Sequence, residues 1–406
     1  MSEQQARGGQ LAFGATMVYA MAVAAYTSFL LGMLGPLMIA DLGISRTEFG
    51  LLSTMIFVVG GLGAPLVGPL VDSLGGRRML LLLFLAGAMA WTLMGWAPTY
   101  VLLLVGAVFA GFVRGVSNPI GNKLVATHAV PQRQGLIMGI SKSGAQVGAF
   151  AIGVLVPPLA VAIGWRGVLL SSVLLSVVGL LATLVVIPPD GSRAQLRARA
   201  GSSSIAGNRQ LVIWLGLNAG LIGMGGGPVN AYVPLFAVEA LGMTVASAGA
   251  VVSTMAAFGI AGRILWGRLV DSFPTPQVAL VTLGVLGSLS MVAMVAAPAV
   301  SPVLLWVGAV GFVTTTGSWI TVGMLTIIRE APLAVAGRVS GLVLACFYGG
   351  LAFGPVAFGA VVDLTGSYPL AWSMGAVAYL GSALAAWWWG RIRRAQQPVQ
   401  APVGPG

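Results

Sequence analysis

The sequence predicts an all-α membrane protein with twelve transmembrane helices in two pseudo-symmetric six-helix bundles. Of the 406 residues, 58% are hydrophobic and 7% are charged, which leaves too little polar surface for a soluble domain. The apolar residues form long blocks, such as 80–97 and 169–187. At about 1.5 Å per residue, such blocks can cross about 30 Å of hydrocarbon. A single long hydrophilic stretch then divides the blocks into two sets of six.

The spans are predicted to be helices because every backbone amide in lipid must be satisfied within its own segment. Strands of a membrane barrel would be shorter and would alternate apolar with polar residues, which these blocks do not. The predicted spans are 12–37, 47–71, 79–97, 100–126, 134–159, 167–187, 210–237, 244–270, 276–297, 301–328, 337–361 and 369–390. The hydrophilic stretch 188–209 is predicted to be a cytoplasmic linker between an N-terminal bundle (1–187) and a C-terminal bundle (210–390). Residues 391–406 would form a cytoplasmic tail.

The two halves of the chain carry related short sequences. The segment from Gly68 to Asp72 reads GPLVD, and the segment from Gly267 to Asp271 reads GRLVD. Two glycines spaced by four residues also recur, at 135 and 139 and at 337 and 341. Both pairs are separated by about 200 residues, which indicates a duplicated six-helix unit of the kind that transporters often contain.

The distribution of basic residues predicts the orientation in the membrane. The net charge of +11 at pH 7 could suit nucleic acid, but most basic residues fall on one side of the predicted spans. That side holds Arg7, Arg77, Arg78, Arg133, Arg193, Arg197, Arg199, Arg209, Arg268, Arg329, Arg338, Arg391, Arg393 and Arg394. Only Arg46 and Arg166 fall on the other side. Because basic loops stay cytoplasmic, we predict a multi-pass protein of the plasma (inner) membrane with both termini cytoplasmic and no nucleic-acid partner.

Four basic residues remain inside the predicted spans: Arg114, Lys123, Lys142 and Arg263. A cation at mid-membrane costs at least about 2.5–3.5 kcal/mol, so it should face a wet cavity or a partner. All nine acidic residues fall at predicted loops or helix ends. They are Glu3, Asp41, Glu48, Asp72, Asp190, Glu239, Asp271, Glu330 and Asp363. Positive charge without an acidic neighbour in the membrane predicts that the passenger is an anion.

A substrate site is predicted around these cations. Asn118 shares the helix face of Arg114, and Gln146 shares that of Lys142, because residues four apart are neighbours on a helix. The predicted substrate-binding residues are Arg114, Asn118, Lys142, Gln146, Arg263, Tyr26 and Tyr348. Other roles stay open at this point: Arg114 could bond backbone carbonyls between helices, Arg263 could pair with Asp271, and Lys142 could extend to the membrane surface.

The loop after the second predicted span carries a recognisable signature. It reads Gly68-x-x-x-Asp72-x-x-Gly75-x-Arg77–Arg78 and resembles the signature loop of the major facilitator superfamily. The resemblance implies the major facilitator fold and a loop that latches the two bundles in one conformation. The second-half copy has Phe273–Pro274 where the basic residues would follow, so a latch there should be weaker. The predicted latch residues are Gly68, Asp72, Gly75, Arg77, Arg78, Gly267 and Asp271.

A narrower likeness is to monocarboxylate and oxalate/formate porters. Small residues in the fifth predicted span, from Gly139 to Gly148, and Arg263 in the eighth resemble segments of those porters. The resemblance implies that Arg263 binds a substrate carboxylate. An acidic residue expected four positions before that arginine is replaced by Gly259, which puts the proton-coupling scheme of those porters in doubt.

These observations predict a secondary active or exchange transporter of a small organic anion, a mono- or dicarboxylate, that works by alternating access. The alternative is a drug or hydrophobic-solute exporter of the same superfamily. The expected partners are the anionic substrate, a proton or a counter-anion, and the lipid bilayer, and we expect a monomer. One His, one Cys and no metal-binding or nucleotide-binding motif argue against an enzyme, a metal or a cofactor.

Overall fold

The protein is described by a computed structural model that covers residues 3–128, 134–189 and 209–396. Side chains at 3–9, 62–69, 72, 126, 134–136, 333–334 and 396 are outside that description. The helices are α1 (Glu3–Leu42), α2 (Arg46–Leu74), α3 (Gly76–Gly95), α4 (Tyr100–His128), α5 (Gln134–Val186), α6 (Arg209–Glu239), α7 (Val245–Leu269), α8 (Pro276–Val300), α9 (Val303–Thr314), α10 (Trp319–Glu330), α11 (Leu333–Thr365) and α12 (Tyr368–Gln396).

The all-helical membrane fold is confirmed. The described part of the chain contains 10 helices that are long and apolar enough to cross a membrane, and no strand occurs in it. The count of twelve spans stays a prediction, since α2 is not among those helices and α5 contains two arms. Residues 190–208 of the predicted linker lie outside the described residues, and α12 continues to Gln396, past the predicted boundary at 390.

The two arms of α5 meet at Gly164, between the predicted spans 134–159 and 167–187. Gly164 has φ 70° and ψ 168°, a conformation that only glycine adopts easily. The next two residues anchor the turn to the end of α1. The indole Nε1 of Trp165 donates to Asp41 at 3.0 Å, and Arg166 forms an ion pair with Asp41 at 3.4 Å.

The predicted span 301–328 is not one continuous helix. A 3-10 turn at Thr316–Ser318 separates α9 from α10. The hydroxyl groups of Thr314 and Thr316 donate to carbonyls of their own helix, at Val310 (2.7 Å) and Phe312 (3.3 Å). Such side-chain bonds compete with the helical backbone pattern. The run Thr314–Thr315–Thr316–Gly317 therefore breaks this span near its middle.

The helices form two halves that touch at one end of the molecule. The strongest contacts within the halves join α1 to α5, α2 to α4, α6 to α11 and α8 to α12. The halves meet through α2 with α11, α5 with α7, and α1 with α6. We call the end that carries Arg46 and Arg166 the Arg46 end, and the opposite end, near Arg77 and Arg329, the Arg77 end.

Close packing between the halves is concentrated in the part nearer the Arg46 end. A Cβ atom on Gly153 of α5 would lie 2.3 Å from the carbonyl oxygen of Gly249 on α7. A Cβ on Gly359 of α11 would lie 2.4 Å from the carbonyl oxygen of Arg46 on α2. The two backbones can approach this closely only because these positions have no side chain.

The same helices separate toward the Arg77 end. On α5 and α7, Cβ atoms at Gly139 and Gly267 would meet nothing within 4 Å. The same holds for Gly337 and Gly341 on α11. The space between the halves is therefore closed at the Arg46 end and widens toward the Arg77 end. In the orientation predicted from the basic residues, that is the cytoplasmic side.

The glycine contact between α5 and α7 gives a stability prediction. Replacing Gly153→Val forces a side chain into the carbonyl of Gly249, and overpacking of this kind typically costs about 1–3 kcal/mol. We expect the thermal unfolding midpoint of the purified protein in detergent to fall by several degrees. The matched control on the same helix is Gly139→Val, which adds the same side chain where there is open space. Equal shifts in the two variants would show that the close approach is unimportant.

Candidate functional site

A chamber lies between the two halves, near the middle of the molecule. It holds about 150 Å³ of space accessible to water and is lined by residues from both halves. Three of the predicted substrate-binding residues line it: Arg114 on α4, Gln146 on α5 and Arg263 on α7. The arginines come from different halves, so a ligand bound between them would contact both.

Arg114 reaches the chamber across a surface of small and aromatic residues. Its guanidinium carbon lies 5.4 Å from the centre of the Phe57 ring, a cation–π arrangement. Its Nη1 atom lies 3.5 Å from the hydroxyl oxygen of Ser28, a long contact. A Cβ atom on Gly60 would lie 3.2 Å from Cγ of Arg114, so the glycine leaves room for the arginine stem. None of these neighbours neutralises the charge.

Arg263 and Gln146 lie on facing helices of opposite halves. Arg263 is exposed in the space between the halves, where it lines the same chamber as Arg114. One turn before Arg263, a Cβ atom on Gly259 would lie 2.8 Å from the amide nitrogen of Gln146. Gln146 thus lies against Gly259, the position at which the resemblance to monocarboxylate porters predicts an acidic side chain.

A third cation lies nearer the Arg77 end. The ammonium of Lys142 donates to the side-chain oxygen of Asn118 at 2.5 Å. Lys142 lies one helical turn closer to the Arg77 end than Gln146 on α5. Asn118 lies one turn closer to that end than Arg114 on α4. The Lys142–Asn118 pair is therefore at the open side of the chamber and outside its described lining. Asn118 is neutral, so this contact supplies no opposite charge to Lys142.

The carboxylates that the structure describes are bonded elsewhere. Asp41 bonds Arg166 and Trp165, Glu48 caps α2 through Ser45, Glu239 and Asp363 bond Arg46, Asp271 bonds Arg329, and Glu330 bonds Arg393. The side chains of Glu3, Asp72 and Asp190 fall outside the described set. Among the described side chains, no carboxylate lies within 4.0 Å of Arg114, Lys142 or Arg263. Asp271 pairs with Arg329 instead of Arg263, which removes one of the alternative roles considered for Arg263.

Tyr26 and Tyr348 lie away from the described lining of the chamber. The Tyr26 hydroxyl lies 3.1 Å from the hydroxyl of Ser172, and its ring meets Trp91 edge-on at 5.8 Å. Tyr348 packs beside Gly61 where α11 meets α2. In this conformation both side chains contribute to helix packing, and their contact with a substrate stays a prediction.

Several lining residues were not predicted from the sequence. Phe29, Met255, Phe312 and Phe347 line the chamber, yet an apolar residue in a membrane span has the same sequence pattern whether it faces lipid, a neighbour or a cavity. Thr316 also lines it, beside the break between α9 and α10. The run of three threonines and a glycine could have indicated that break.

The signature loop forms the tight turn expected of it. Gly75 has φ 92° and ends α2 as α3 begins, and the Arg77 guanidinium donates to the carbonyl oxygen of Leu184 at 2.9 Å. Arg78 is exposed. The side chain of Asp72 and the environment of Gly68 lie outside the described residues. Asp271 bonds Arg329, so the second-half element joins α10 within its own half. The latch function itself stays a prediction.

A polar cluster joins the halves at the Arg46 end. We define the Arg46 cluster as Arg46, Thr47, Glu239, Asp363 and Tyr368. Arg46 Nη2 lies 2.8 Å from a Glu239 carboxylate oxygen, and Tyr368 donates to the same oxygen at 2.6 Å. Asp363 accepts from the backbone amides of Arg46 (3.1 Å) and Thr47 (2.8 Å). A carboxylate from the second half thereby binds the N-terminus of a helix from the first, where helix dipoles favour negative charge.

Fold and chamber together define a membrane transporter with two halves around a central site. The chain belongs to the Major Facilitator Superfamily, whose sequence profile matches residues 15–350. It is therefore a transporter and not an enzyme, as the sequence predicted.

Two relatives and one solved structure illustrate the range of this family. The chain is 27% identical over 351 residues to the probable nitrate/nitrite transporter NarK2 of Mycobacterium tuberculosis, with 82% of this chain and 85% of the relative covered. It is 27% identical over 262 residues to the multidrug resistance protein MdtG of Proteus mirabilis, with 61% and 64% covered. The crystal structure of a D-xylose–proton symporter superposes with a TM-score of 0.76 at 14% identity, covering 93% of this chain and 97% of that one.

The Arg46 cluster predicts how firmly the Arg46 end is closed. Spin labels at Val101→Cys and Val300→Cys, exposed positions in different halves, would report their separation in a Cys346→Ala background. Because partly exposed ion pairs are each worth about 0.2–1 kcal/mol, we expect Arg46→Gln to raise the population with separated ends about two- to fivefold.

The control for this measurement is Arg166→Gln. Arg166 lies at the same end and is similarly exposed, but its partner Asp41 belongs to the same half. Its loss should leave the distance distribution unchanged. If Arg46→Gln also leaves the distribution unchanged, the cluster does not hold the halves together.

Proposed function

We propose that this transporter carries a small organic anion, a mono- or dicarboxylate, by alternating access. The observation that carries the proposal is the pair Arg114 and Arg263, which share a chamber without a described carboxylate within 4.0 Å. Arginine is suited to the role because its planar guanidinium can bond both oxygens of a carboxylate. An anion between the two arginines would relieve the repulsion of their like charges.

The positions of the two arginines support a link between binding and movement. Arg114 belongs to the first half and Arg263 to the second, so a bound carboxylate would bridge the halves. A ligand can shift a conformational equilibrium only by the difference in its affinity for the two states. A bridging anion supplies such a difference, because its two contacts are both available only when the halves are suitably placed.

The expected coupling follows from the same charges. Among the described side chains, the acidic residues lie at helix ends and not beside the chamber. Without an acid there to carry a proton, exchange against a second anion is one route, and entry of the substrate together with its own proton is the other. The arrangement suits a protein of the inner membrane with the open end of the chamber facing the cytoplasm.

A second candidate is export of drugs or other hydrophobic solutes. Two observations favour it: the chamber has several aromatic and aliphatic lining residues, and the chain is similar to the multidrug resistance protein MdtG. Relatives named for nitrate and nitrite favour the anion instead. Flux of a labelled carboxylate, compared with flux of a neutral lipophilic dye, distinguishes the two candidates.

The anion proposal predicts the effect of removing either arginine. With the protein in proteoliposomes, uptake of a panel of labelled carboxylates should fall about 10- to 100-fold in Arg114→Gln and in Arg263→Gln, since a hydrogen bond to a charged group is worth about 1.5–3 kcal/mol. Arg268→Gln removes an exposed arginine from the same helix as Arg263 and should retain the flux. Full activity in both chamber variants would contradict the anion site.

The same vesicles separate the two routes of coupling. Faster uptake into vesicles preloaded with an unlabelled carboxylate, with no response to an imposed pH gradient, would indicate exchange. Uptake driven by an inward proton gradient alone would indicate entry with a proton.

A further inference from the structure

Charge and apolar surface occupy different ends of the chamber. Along α7, Val252 lies nearest the Arg46 end among the lining residues of that helix, and Arg263 lies three turns farther on, about 16 Å at the helical rise. On α6, Val233 and Pro234 line the chamber close to the end of the helix at Glu239. The lining at the closed end of the chamber is therefore largely apolar, and Arg263 lies toward the open end.

Aliphatic and aromatic side chains build this apolar end. Met255 enters from α7 and Phe312 from α9, and Phe29 of α1 lines the chamber nearer the depth of Arg114, whose guanidinium contacts the neighbouring Ser28. The tight contact of Gly153 with Gly249 closes the space beyond them. A Cβ atom added to Gly153 would lie only 2.3 Å from the carbonyl oxygen of Gly249. A group placed here would be removed from water on all sides, which is favourable only for an apolar group.

The uncharged polar side chains in this part of the lining each donate a hydrogen bond within their own helix. The side-chain amide nitrogen of Asn230 donates to the carbonyl oxygen of Gly226 at 3.3 Å. The hydroxyl of Thr316 donates to the carbonyl oxygen of Phe312 at 3.3 Å. Neither adds a positive charge. A second carboxylate at this end would be buried without a cation in the described lining, an arrangement that proteins avoid.

The size of the chamber accommodates a small ring. A dry apolar cavity of about 150 Å³ in another protein binds benzene, and this chamber holds about 150 Å³ accessible to water. One six-membered ring with one carboxylate therefore fits. A nitrate or acetate ion could bond the arginines but would leave the apolar end filled with water.

Building on the proposed function, we propose that the chamber is a site for an amphipathic monocarboxylate. Its carboxylate lies between Arg114 and Arg263, and its aromatic or cyclic aliphatic body lies against Phe29, Met255 and Phe312. Selectivity comes from both parts: the arginines require one negative charge, and the closed end rewards apolar bulk and rejects a second charge.

The test is binding to the purified full-length protein, measured by titration calorimetry in detergent. The ligands are benzoate, cyclohexanecarboxylate, acetate, nitrate, the dicarboxylate terephthalate and the neutral isostere benzamide. We expect benzoate and cyclohexanecarboxylate to bind at least about tenfold more tightly than acetate or nitrate, because the ring buries apolar surface. Terephthalate and benzamide should each bind at least about tenfold more weakly than benzoate.

Two variants locate the apolar part of the site by opposite changes. Val252→Phe fills the closed end, and Phe29→Ala removes one wall. Both should lower the ratio of benzoate affinity to acetate affinity by about tenfold. Because the readout is the ratio of benzoate affinity to acetate affinity, the test stays valid if a variant binds all ligands less well. The two substitutions are different in kind, so a folding defect in one variant leaves the other informative.

The outcomes separate this inference from the proposed function. If acetate, nitrate or terephthalate binds as tightly as benzoate, the amphipathic site is wrong, while an anion site remains. If benzamide binds as tightly as benzoate, and Arg263→Gln changes neither affinity, the inference and the anion proposal both fail. Failure of every carboxylate to bind at millimolar concentration would also overturn both.

Discussion

The proposed function depends on positive charge placed between the two halves without a described acidic partner. Arg114 and Arg263 share a chamber between the two halves, and like charges that share a space repel each other. A charged group in such a place is costly unless something compensates it. The described carboxylates are bonded at the helix ends, so within the described structure the compensation has to come from solvent or from a ligand. That need is the basis of our proposal that the chamber binds an anion.

The proposed movement would change which end of the two halves is packed. At the Arg46 end, glycines allow the backbones of the two halves to pack closely. The Arg46 cluster joins the halves through ion pairs and through Asp363 of the second half, which caps α2 of the first half. Toward the Arg77 end the same helices part, and Gly139 and Gly267 face open space. The partly exposed ion pairs that help to close the Arg46 end are individually modest. An equilibrium between two packings can therefore be shifted by one bridging ligand, because small differences in binding free energy decide it.

Much of the fold could be predicted from the sequence, because long apolar blocks in lipid have few structural options. The turn at Gly75 and the placement of Arg114, Gln146 and Arg263 in one chamber also follow from motif and spacing. The break at Thr316–Ser318 was missed, since local side-chain bonds overrode an apolar pattern. The apolar lining was missed for a different reason: the sequence does not distinguish a phenylalanine that faces lipid from one that faces a cavity. Tyr26 and Tyr348 are the opposite case: the sequence placed these polar side chains at the substrate site, and in the structure they pack between helices.

A structure of the protein with 4-bromobenzoate tests the central claim most directly, since the anomalous signal of bromine fixes the orientation of the ligand. The account predicts the carboxylate within hydrogen-bonding distance of the guanidinium groups of Arg114 and Arg263 and the bromine toward Val252 at the closed end. A ligand bound elsewhere, or an acidic side chain of the protein paired with both arginines, would contradict it.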